Sequence, residues 1–276
     1  MPERPLASQT FSLMKQAKLL FALLGLLVST SLLGQSYANL PFIDSGPIRY
    51  GIKSSTAPSM EEAVVLRLLN KNLTSVEIPY NVSRHLHNYT IEVIAEGAFS
   101  ESSLEEVKLS DAIKFIEAEA FKNCPLKRFV CPAKLRHIGR MAFAWCTELE
   151  EVETDNNLKA VGPNAFRSCT KLRRFDCPPD MHTIGDYAFY CCSSLERVTL
   201  GKDMINIGVG AFDATWNLKL IVCQNPNPHP AKDAFCRDVL QNALLVVPDG
   251  CAAKYRATEG WSGFAHIMER SQVERE

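Results

Sequence analysis

The sequence predicts an α/β solenoid, a stack of coils of 22–23 residues in which short strands and helical turns alternate and a parallel sheet runs along one side. Its first support is a ladder of Ala-Phe pairs, with Phe99, Phe121, Phe143, Phe166, Phe189, Phe212 and Phe235 separated by 22, 22, 23, 23, 23 and 23 residues. The second is a pair of apolar columns ahead of each phenylalanine except the last. Ile94, Ile116, Ile138, Val161, Ile184 and Ile207 stand five residues before it, and Ile91, Ile113, Leu135, Leu158, Met181 and Met204 three residues earlier still. The third is a leucine five or six residues after it, at Leu104, Leu126, Leu149, Leu172, Leu195 and Leu218. A unit of this size cannot close its own core, because one short strand and a helical turn leave most of their apolar faces wet. Stacking buries those faces against each other.

At the N-terminus, Lys15 and Lys18 precede a fifteen-residue run without charge from Leu19 to Leu33, and small residues follow at Ser36 and Ala38. This is the layout of a signal peptide, expected over residues 1–38 with cleavage after Ala38. The run is shorter than the roughly 20 apolar residues that span a bilayer, so membrane contact is expected only through this segment if it stays uncleaved. Residues 1–13 are long for a charged leader, and Met14-Lys15 looks like a more ordinary start.

Residues 39–90 are expected to form an N-terminal linker and cap with a partial repeat. Within them, residues 39–60 carry Pro41, Gly46, Pro47, Gly51 and Pro58 without period and read as a linker or the approach to a cap. Leu73, Val76 and Ile78 resemble the strand half of an earlier coil, and Tyr80 to Thr90 reads as a loop or irregular cap. The solenoid proper is assigned to residues 91–236, and a C-terminal strand and cap to residues 237–276.

Inside each coil the recurring leucine opens an alternating stretch, as at Leu104, Val107 and Leu109 or Leu195, Val198 and Leu200. Alternation with period two marks a strand with one buried face. Pro132 and Pro178 close two of these stretches, and Gly139, Gly185 and Gly208 are read as turn positions. The Ala-Phe segment has room for one or two helical turns.

The pattern Ile-x-x-Ile-Gly-x-x-Ala-Phe-x-x-Cys-x-x-Leu-x-x-Val-x-Leu, clearest from Met181 to Leu200, resembles the BspA-like bacterial leucine-rich-repeat family. The run from Leu244 to Gly250, followed by Ala253-Lys254-Tyr255, Glu259-Gly260-Trp261 and Phe264, is similar to that family's C-terminal cap. The resemblance covers about residues 73–268 and makes the fold class a leucine-rich-repeat solenoid. It implies a secreted or cell-surface protein that attaches to host or matrix macromolecules. No defined binding residue comes with it.

Chemistry-bearing residues are few in kind. The chain holds 30 Lys and Arg against 31 Asp and Glu, a net charge of -1, so no global field draws it to nucleic acid or an anionic membrane. The 10 cysteines of an exported chain suggest disulfides, but they fall into columns. Cys124, Cys146, Cys169 and Cys192 share one slot three residues after the phenylalanine, where stacking points their Cβ atoms the same way. Cys131, Cys177 and Cys223 share an inward strand slot in every second coil. These would lie about 10 Å apart, twice the strand spacing, beyond the roughly 4.4–6.8 Å that a bridge allows between Cα atoms. Buried free thiols are therefore expected, with Cys236 or Cys251 left open to an isolated bridge.

His85 and His87 alternate without an accompanying metal-binding motif, and His137 and His182 share a repeat slot. Asn72, Asn81 and Asn88 begin Asn-x-Ser/Thr sequons, read as polar loop residues if the bacterial resemblance holds. No nucleophile elbow, phosphate loop or dinucleotide fingerprint appears. No enzyme activity, cofactor or metal is expected, and a catalytic alternative would have to draw on the Tyr80 to Thr90 insertion.

The outward strand positions form the candidate binding face. One column reads Glu106, Arg128, Glu151, Arg174, Arg197 and Leu220, and its neighbour Lys108, Val130, Glu153, Asp176, Thr199 and Val222. Alternating charge on adjacent strands supports register by pairing. The same face, if it binds, suits an extracellular or host/matrix protein better than nucleic acid or another polyanion. A second reading makes the chain a structural or assembly component of the cell envelope.

Overall fold

The computed structural model describes residue 37, residues 39–53 and residues 61–273. The chain falls into two units, residues 1–39 and 40–276, and the repeats belong to the second. The expected signal peptide and its cleavage point lie outside the described residues. No helix among the described residues is long and apolar enough to cross a membrane.

The second unit is a solenoid held along its axis by three ladders of hydrogen bonds. The first is built from the leucine-led strands: β4 (Ser75–Ile78), β7 (Glu106–Leu109), β9 (Arg128–Val130), β11 (Glu151–Glu153), β13 (Arg174–Asp176), β15 (Arg197–Leu200), β17 (Leu220–Cys223), β18 (Leu244–Val247) and β19 (His266–Glu269). It pairs in parallel register as three sheets, β4 with β7, β9 with β11, and β13, β15, β17, β18 and β19 in that order. This is the side the sequence anticipates. The second ladder was not anticipated. It joins two-residue strands at the aliphatic column, β8 (Phe115–Ile116), β10 (His137–Ile138), β12 (Ala160–Val161), β14 (Thr183–Ile184) and β16 (Asn206–Ile207), again parallel and in step.

The third ladder runs through the Ala-Phe segments. These are chains of turns, a correction to the expected helical turns, and one repeated conformation explains it. The residues two before and two after each phenylalanine from Phe99 to Phe212 are left-handed, for example Glu119 (φ 57°) and Asn123 (φ 57°) around Phe121, or Asn164 (φ 56°) and Ser168 (φ 60°) around Phe166. Left-handed L residues cost roughly 1–2 kcal/mol each. Alternating hand turns every second N–H along the axis. Glu119, Phe121 and Asn123 donate to the carbonyls of Arg140, Ala142 and Ala144 on the next coil at 2.9, 2.8 and 2.8 Å. The intervening Lys122 and Cys124 donate back within their own coil at 3.1 and 3.2 Å. A one-turn helix would leave its first N–H groups without partners, whereas this arrangement satisfies them.

The glycines of the aliphatic column are also reassigned. Gly139, Gly162, Gly185 and Gly208 do not have the positive φ of a left-handed turn. A Cβ on Gly139 would fall 2.7 Å from the backbone of Glu117, and one on Gly185 2.5 Å from that of Pro163. They are glycine because successive coils touch there.

Between the ladders lies one interior. The seven phenylalanines stack in near-parallel planes, with centroid steps of 5.0, 5.2, 5.3, 5.4, 5.4 and 5.3 Å. Such separations between parallel rings describe offset stacking. Phe129 and Phe175 wedge against this spine at steep angles, and the leucine and aliphatic columns fill the remainder.

Both ends are closed by non-repeating structure. At the N-terminal end β1 (Phe42–Ser45) and β2 (Ile48–Lys53) form an antiparallel hairpin that pairs through β3 (Glu62–Leu68) onto β6 (His87–Ile94). Residues 42–53 are thus strands of a cap with Ile48, Tyr50 and Ile52 in the core. The Tyr80 to Thr90 stretch is likewise a hairpin, β5 (Asn81–Arg84) against β6, where a loop was expected. Its turn residue His85 is left-handed (φ 54°), and Val82 is its buried anchor. At the other end the spine stops against Trp261 and Phe264, 5.3 and 5.1 Å from Phe235.

Replacing Phe143 or Phe166 with alanine is expected to cost about 3–5 kcal/mol and to break the single unfolding transition, read by urea denaturation. An unchanged curve contradicts the shared interior. Gly185→Ala, a single methyl against backbone, is expected to destabilise by about 1–3 kcal/mol in the same experiment.

Candidate functional site

The leucine-led strands bury alternate residues: Val152, Phe175, Val198 and Ile221 point inward. Their neighbours therefore form the open face. Most of the expected face residues are there, and much of their charge is spent on each other. Arg128 reaches both Glu151, at 3.5 Å, and Glu153. Arg174 meets Glu151 at 3.0 Å, and Lys108 meets Glu77 at 2.8 Å, a contact that raises the lysine pKa. Beside the face, Lys127 and Lys171 reach back one coil to Glu105 and Glu148, each at 2.6 Å. Exposed pairs of this kind add little individually, but here they repeat coil after coil and fix which strand faces which.

Two positions depart from the expectation. Thr199 is only 8% exposed, and its hydroxyl donates to Asp176 Oδ1 at 2.5 Å, so it supports the face and offers little surface of its own. Arg197 stands directly opposite Arg174 in the register, a like-charge neighbour, and makes no ion pair among the described residues. Glu106 makes none either. From Arg197 onward the columns turn apolar: Leu220 and Leu244 continue one, which ends at the exposed His266, and Val222, Val246 and Met268 the other. The face therefore has a self-neutralised charged half and a half-buried apolar half, joined at Arg174 and Arg197.

The ten cysteines are all free thiols in the structure. The slot after each phenylalanine explains itself. Cys124, Cys146, Cys169 and Cys192 donate from Sγ to the carbonyls of Phe99, Phe121, Phe143 and Phe166 at 3.0, 3.1, 3.2 and 3.1 Å. Ser102 and Thr215 occupy the same slot in the first and last of these coils, and both are buried. The column is thus one of small buried donors. Burial raises the thiol pKa of both cysteine columns, to about 12 at Cys131 and Cys223. None of these thiols resembles an activated nucleophile, which needs a lowered pKa.

The histidines give no centre. His87 Nδ1 lies 2.5 Å from Glu61 on the hairpin surface, and no group of three metal-ligating side chains occurs among the described residues. His137 stacks on Phe115 of the previous coil at 5.5 Å; burial, then the Arg136 charge, lowers its pKa. Two hollows adjoin the C-terminal cap. One is a small, partly open space of ≈ 20 Å³ beside Cys223, Tyr255 and Trp261. The other is an open groove of ≈ 470 Å³ lined by His182, Lys202, Asp203, Ile205, Asn225 and His229. In neither is a histidine hydrogen-bonded to a hydroxyl or thiol among the described residues, the pairing that nucleophilic catalysis requires.

The turn side holds surface that the outward strand columns do not include. Trp145, Tyr187 and Trp216 are exposed there. The slots of Trp145 and Tyr187 are filled in other coils by residues as varied as Gly97, Glu119, Met141, Asn164 and Ala214, so no sequence signal marks these aromatics as surface residues.

Folded thiols that keep their protons above the ordinary value of 9.0 make the folded state the better proton binder in alkali. Their stabilising contribution is complete below that value and is lost as pH rises toward about 12. The urea midpoint is expected to fall above pH 9.0, and Cys131→Ala with Cys223→Ala to flatten that fall. In the native protein Cys191 and Cys236, the two partly exposed thiols, are expected to be alkylated first. Uniform reactivity of all ten contradicts the columns.

Comparison with known proteins bears on the fold. The model of the BspA type leucine rich repeat region matches residues 68–159 and 114–240, in 6 copies. A leucine-rich repeat protein from Bacteroides ovatus is 24% identical over 77% of this chain, with a TM-score of 0.57, and the present chain spans 56% of its length. The leucine-rich repeat protein of T. pallidum is 20% identical over 79% of this chain and 95% of its own, with a TM-score of 0.47. No curated protein matches the chain. With repeats matched from residue 68 to residue 240, more than half of its length, the chain belongs to the BspA-type leucine-rich-repeat family.

Proposed function

We propose that this is an exported, non-catalytic binding module that sits at the cell surface or is secreted, and that its open sheet face takes an extracellular or host/matrix protein. The observation that carries the reading is the change along that face. From Arg128 to Arg174 opposite charges cancel between coils, whereas at Arg174 and Arg197 two cations abut and Leu220, Leu244, Val222 and Val246 follow them. Like charges directly opposite destabilise a sheet, so the fold gains nothing from that pair. An arginine bordering an apolar patch has the composition of a binding hot spot. Glu151 holds Arg174 at this border and Thr199 fixes Asp176 beside it, while Lys108, paired with Glu77, and Glu153, paired with Arg128, belong to the charged half.

Export is supported by the charged-then-apolar start of the sequence and the small residues before residue 39. A repeat architecture that commits its buried side chains to one shared apolar interior supports a non-catalytic role. The partition into a leader over 1–38, a cap over 39–90, a solenoid over 91–236 and a closing cap over 237–276 is part of the same proposal.

The test is capture of candidate extracellular matrix proteins on the immobilised mature chain, compared with Arg174→Glu/Arg197→Glu and with Glu151→Lys. The arginine reversals are expected to weaken capture by about a hundredfold, with the urea midpoint lowered only slightly through loss of the exposed Arg174–Glu151 pair. Glu151→Lys is expected to lower stability slightly by breaking two ion pairs. Undiminished capture by the arginine variant removes the binding site from this face. Recovery of the chain from surface fractions in a fixed stoichiometric complex with another envelope protein would instead make it an assembly element.

A further inference from the structure

The apolar half of the sheet face has a definite shape. It runs along the solenoid axis over β17, β18 and β19 as two columns, Leu220 and Leu244 in one, Val222, Val246 and Met268 in the other. Leu220, Leu244, Val222 and Met268 are half-buried, and Val246 lies buried between its column neighbours. Exposed Glu196, Lys219 and Asn242, just ahead of β15, β17 and β18 in the chain, give that side a polar rim. At the start of the patch stand Arg174 and Arg197, opposite each other in register. Arg174 shares Glu151 with Arg128, and Arg197 makes no ion pair among the described residues. The fold therefore leaves positive charge at one end of an apolar strip.

Geometry separates the kinds of chain that fit there. An extended segment binds a sheet by adding a strand to its edge, and the edge that closes this sheet is that of β19. Two of its backbone groups are already taken. The Ile267 carbonyl accepts from Arg256 at 3.2 Å, and the Glu269 N–H donates to Gln272 Oε1 at 2.7 Å. Laid across the face instead, an extended chain presents same-side residues about 6.7 Å apart, against about 4.8 Å between strands, and is out of step by the second coil. An α-helix presents its side chains once per turn of about 5.4 Å, a drift of only about 0.6 Å per coil against the strand spacing. At the spine behind β15, β17 and β18 the coils advance by 5.4 and 5.3 Å, the same length as the helical turn.

We propose that the partner element received by this patch is an amphipathic α-helix lying along the solenoid axis, with its apolar stripe on the leucine and valine columns and a carboxylate at the arginine end. The proposal rests on the open sheet face being the binding surface, and it names what that surface takes. Side chains at i, i+3, i+4 and i+7 form one stripe of such a helix. The two columns are two residues apart along each strand, about 6.7 Å, a channel that one stripe fills. A carboxylate between Arg174 and Arg197 relieves their repulsion and accepts charge-assisted hydrogen bonds from both. From β13 to β19 the sheet has five strands, a run of about 19 Å that about 13 helical residues cover.

The test uses three fluorescein-labelled peptides of about 18 residues, read by fluorescence anisotropy on the mature chain. The first carries leucines at helical spacing and a pair of glutamates in one end turn. The second has the same composition in strict alternation, and the third replaces the glutamates of the first with lysines. The helical peptide is expected to bind at least about tenfold more tightly than the alternating one and to gain helical circular dichroism on binding. Arg174→Glu/Arg197→Glu is expected to weaken it by about tenfold or more and to bind the lysine peptide in its place, an exchange that also shows the variant to be folded. The proposal is overturned if the alternating peptide binds as tightly as the helical one, if the helical peptide ignores the reversals, or if no peptide binds. Capture of matrix protein is read on the same variant. Capture that still depends on the two arginines keeps the sheet face as the binding surface and removes only the helix, whereas capture that ignores them removes both.

Discussion

Each coil can bury its phenylalanine only because the next coil brings another to the same height while accepting the hydrogen bonds of its backbone. The spacing of hydrogen-bonded strands, about 4.8 Å, and the 5.0–5.4 Å steps between stacked rings are nearly the same length. That agreement lets three axial ladders and one aromatic column coexist. It also governs smaller choices: glycine where coils touch at Gly139 and Gly185, a small donor where the phenylalanine carbonyl turns inward at Cys146 and Cys169, and left-handed residues on either side of the rings from Phe99 to Phe212. The last of these carry a conformational cost that the axial hydrogen bonds offset.

The stack is quasi-one-dimensional, so its ends would expose the interior. Two different devices close it. At the start, β1 to β3 extend the sheet of two-residue strands and bury Ile48, Tyr50 and Val65. At the finish, the cap folds back over the proline-rich segment. Tyr255 donates to the carbonyl of Asn225 and Trp261 to that of His229, both at 2.8 Å, and Trp261 and Phe264 terminate the spine.

Columns of large apolar residues were legible in the sequence because a repeat multiplies each signal: Phe143 alone says little, whereas seven phenylalanines in step define an interior. Pairs such as His137-Ile138 were not legible as strands, since two residues cannot display an alternation. The turn conformation was hidden for another reason. Glu119 and Met141 are poor markers of a left-handed backbone, and their conformation is set by hydrogen bonds to the next coil and not by their own preference. The hairpins at residues 42–53 and 81–94 fall outside the repeat, so nothing averaged their weak patterns into view. At the candidate face the same division holds. Which residues point outward followed from alternation, and the Arg128, Glu151 and Arg174 contacts follow from their alternating sign. How deeply Thr199 lies between its neighbours did not follow, because burial on a sheet depends on the strands to either side. Sites on such a scaffold are carried by rigid columns, and their geometry is inherited from the interior.

Backbone hydrogen exchange tests that interior most directly. The amides of Phe121, Phe143, Phe166 and Phe189, with those of Asn123 and Ser168 beside them, each donate to the next coil. A continuous shared interior predicts that they exchange slowly and together, at the rate of global unfolding. Fast or coil-by-coil exchange at these amides would contradict it.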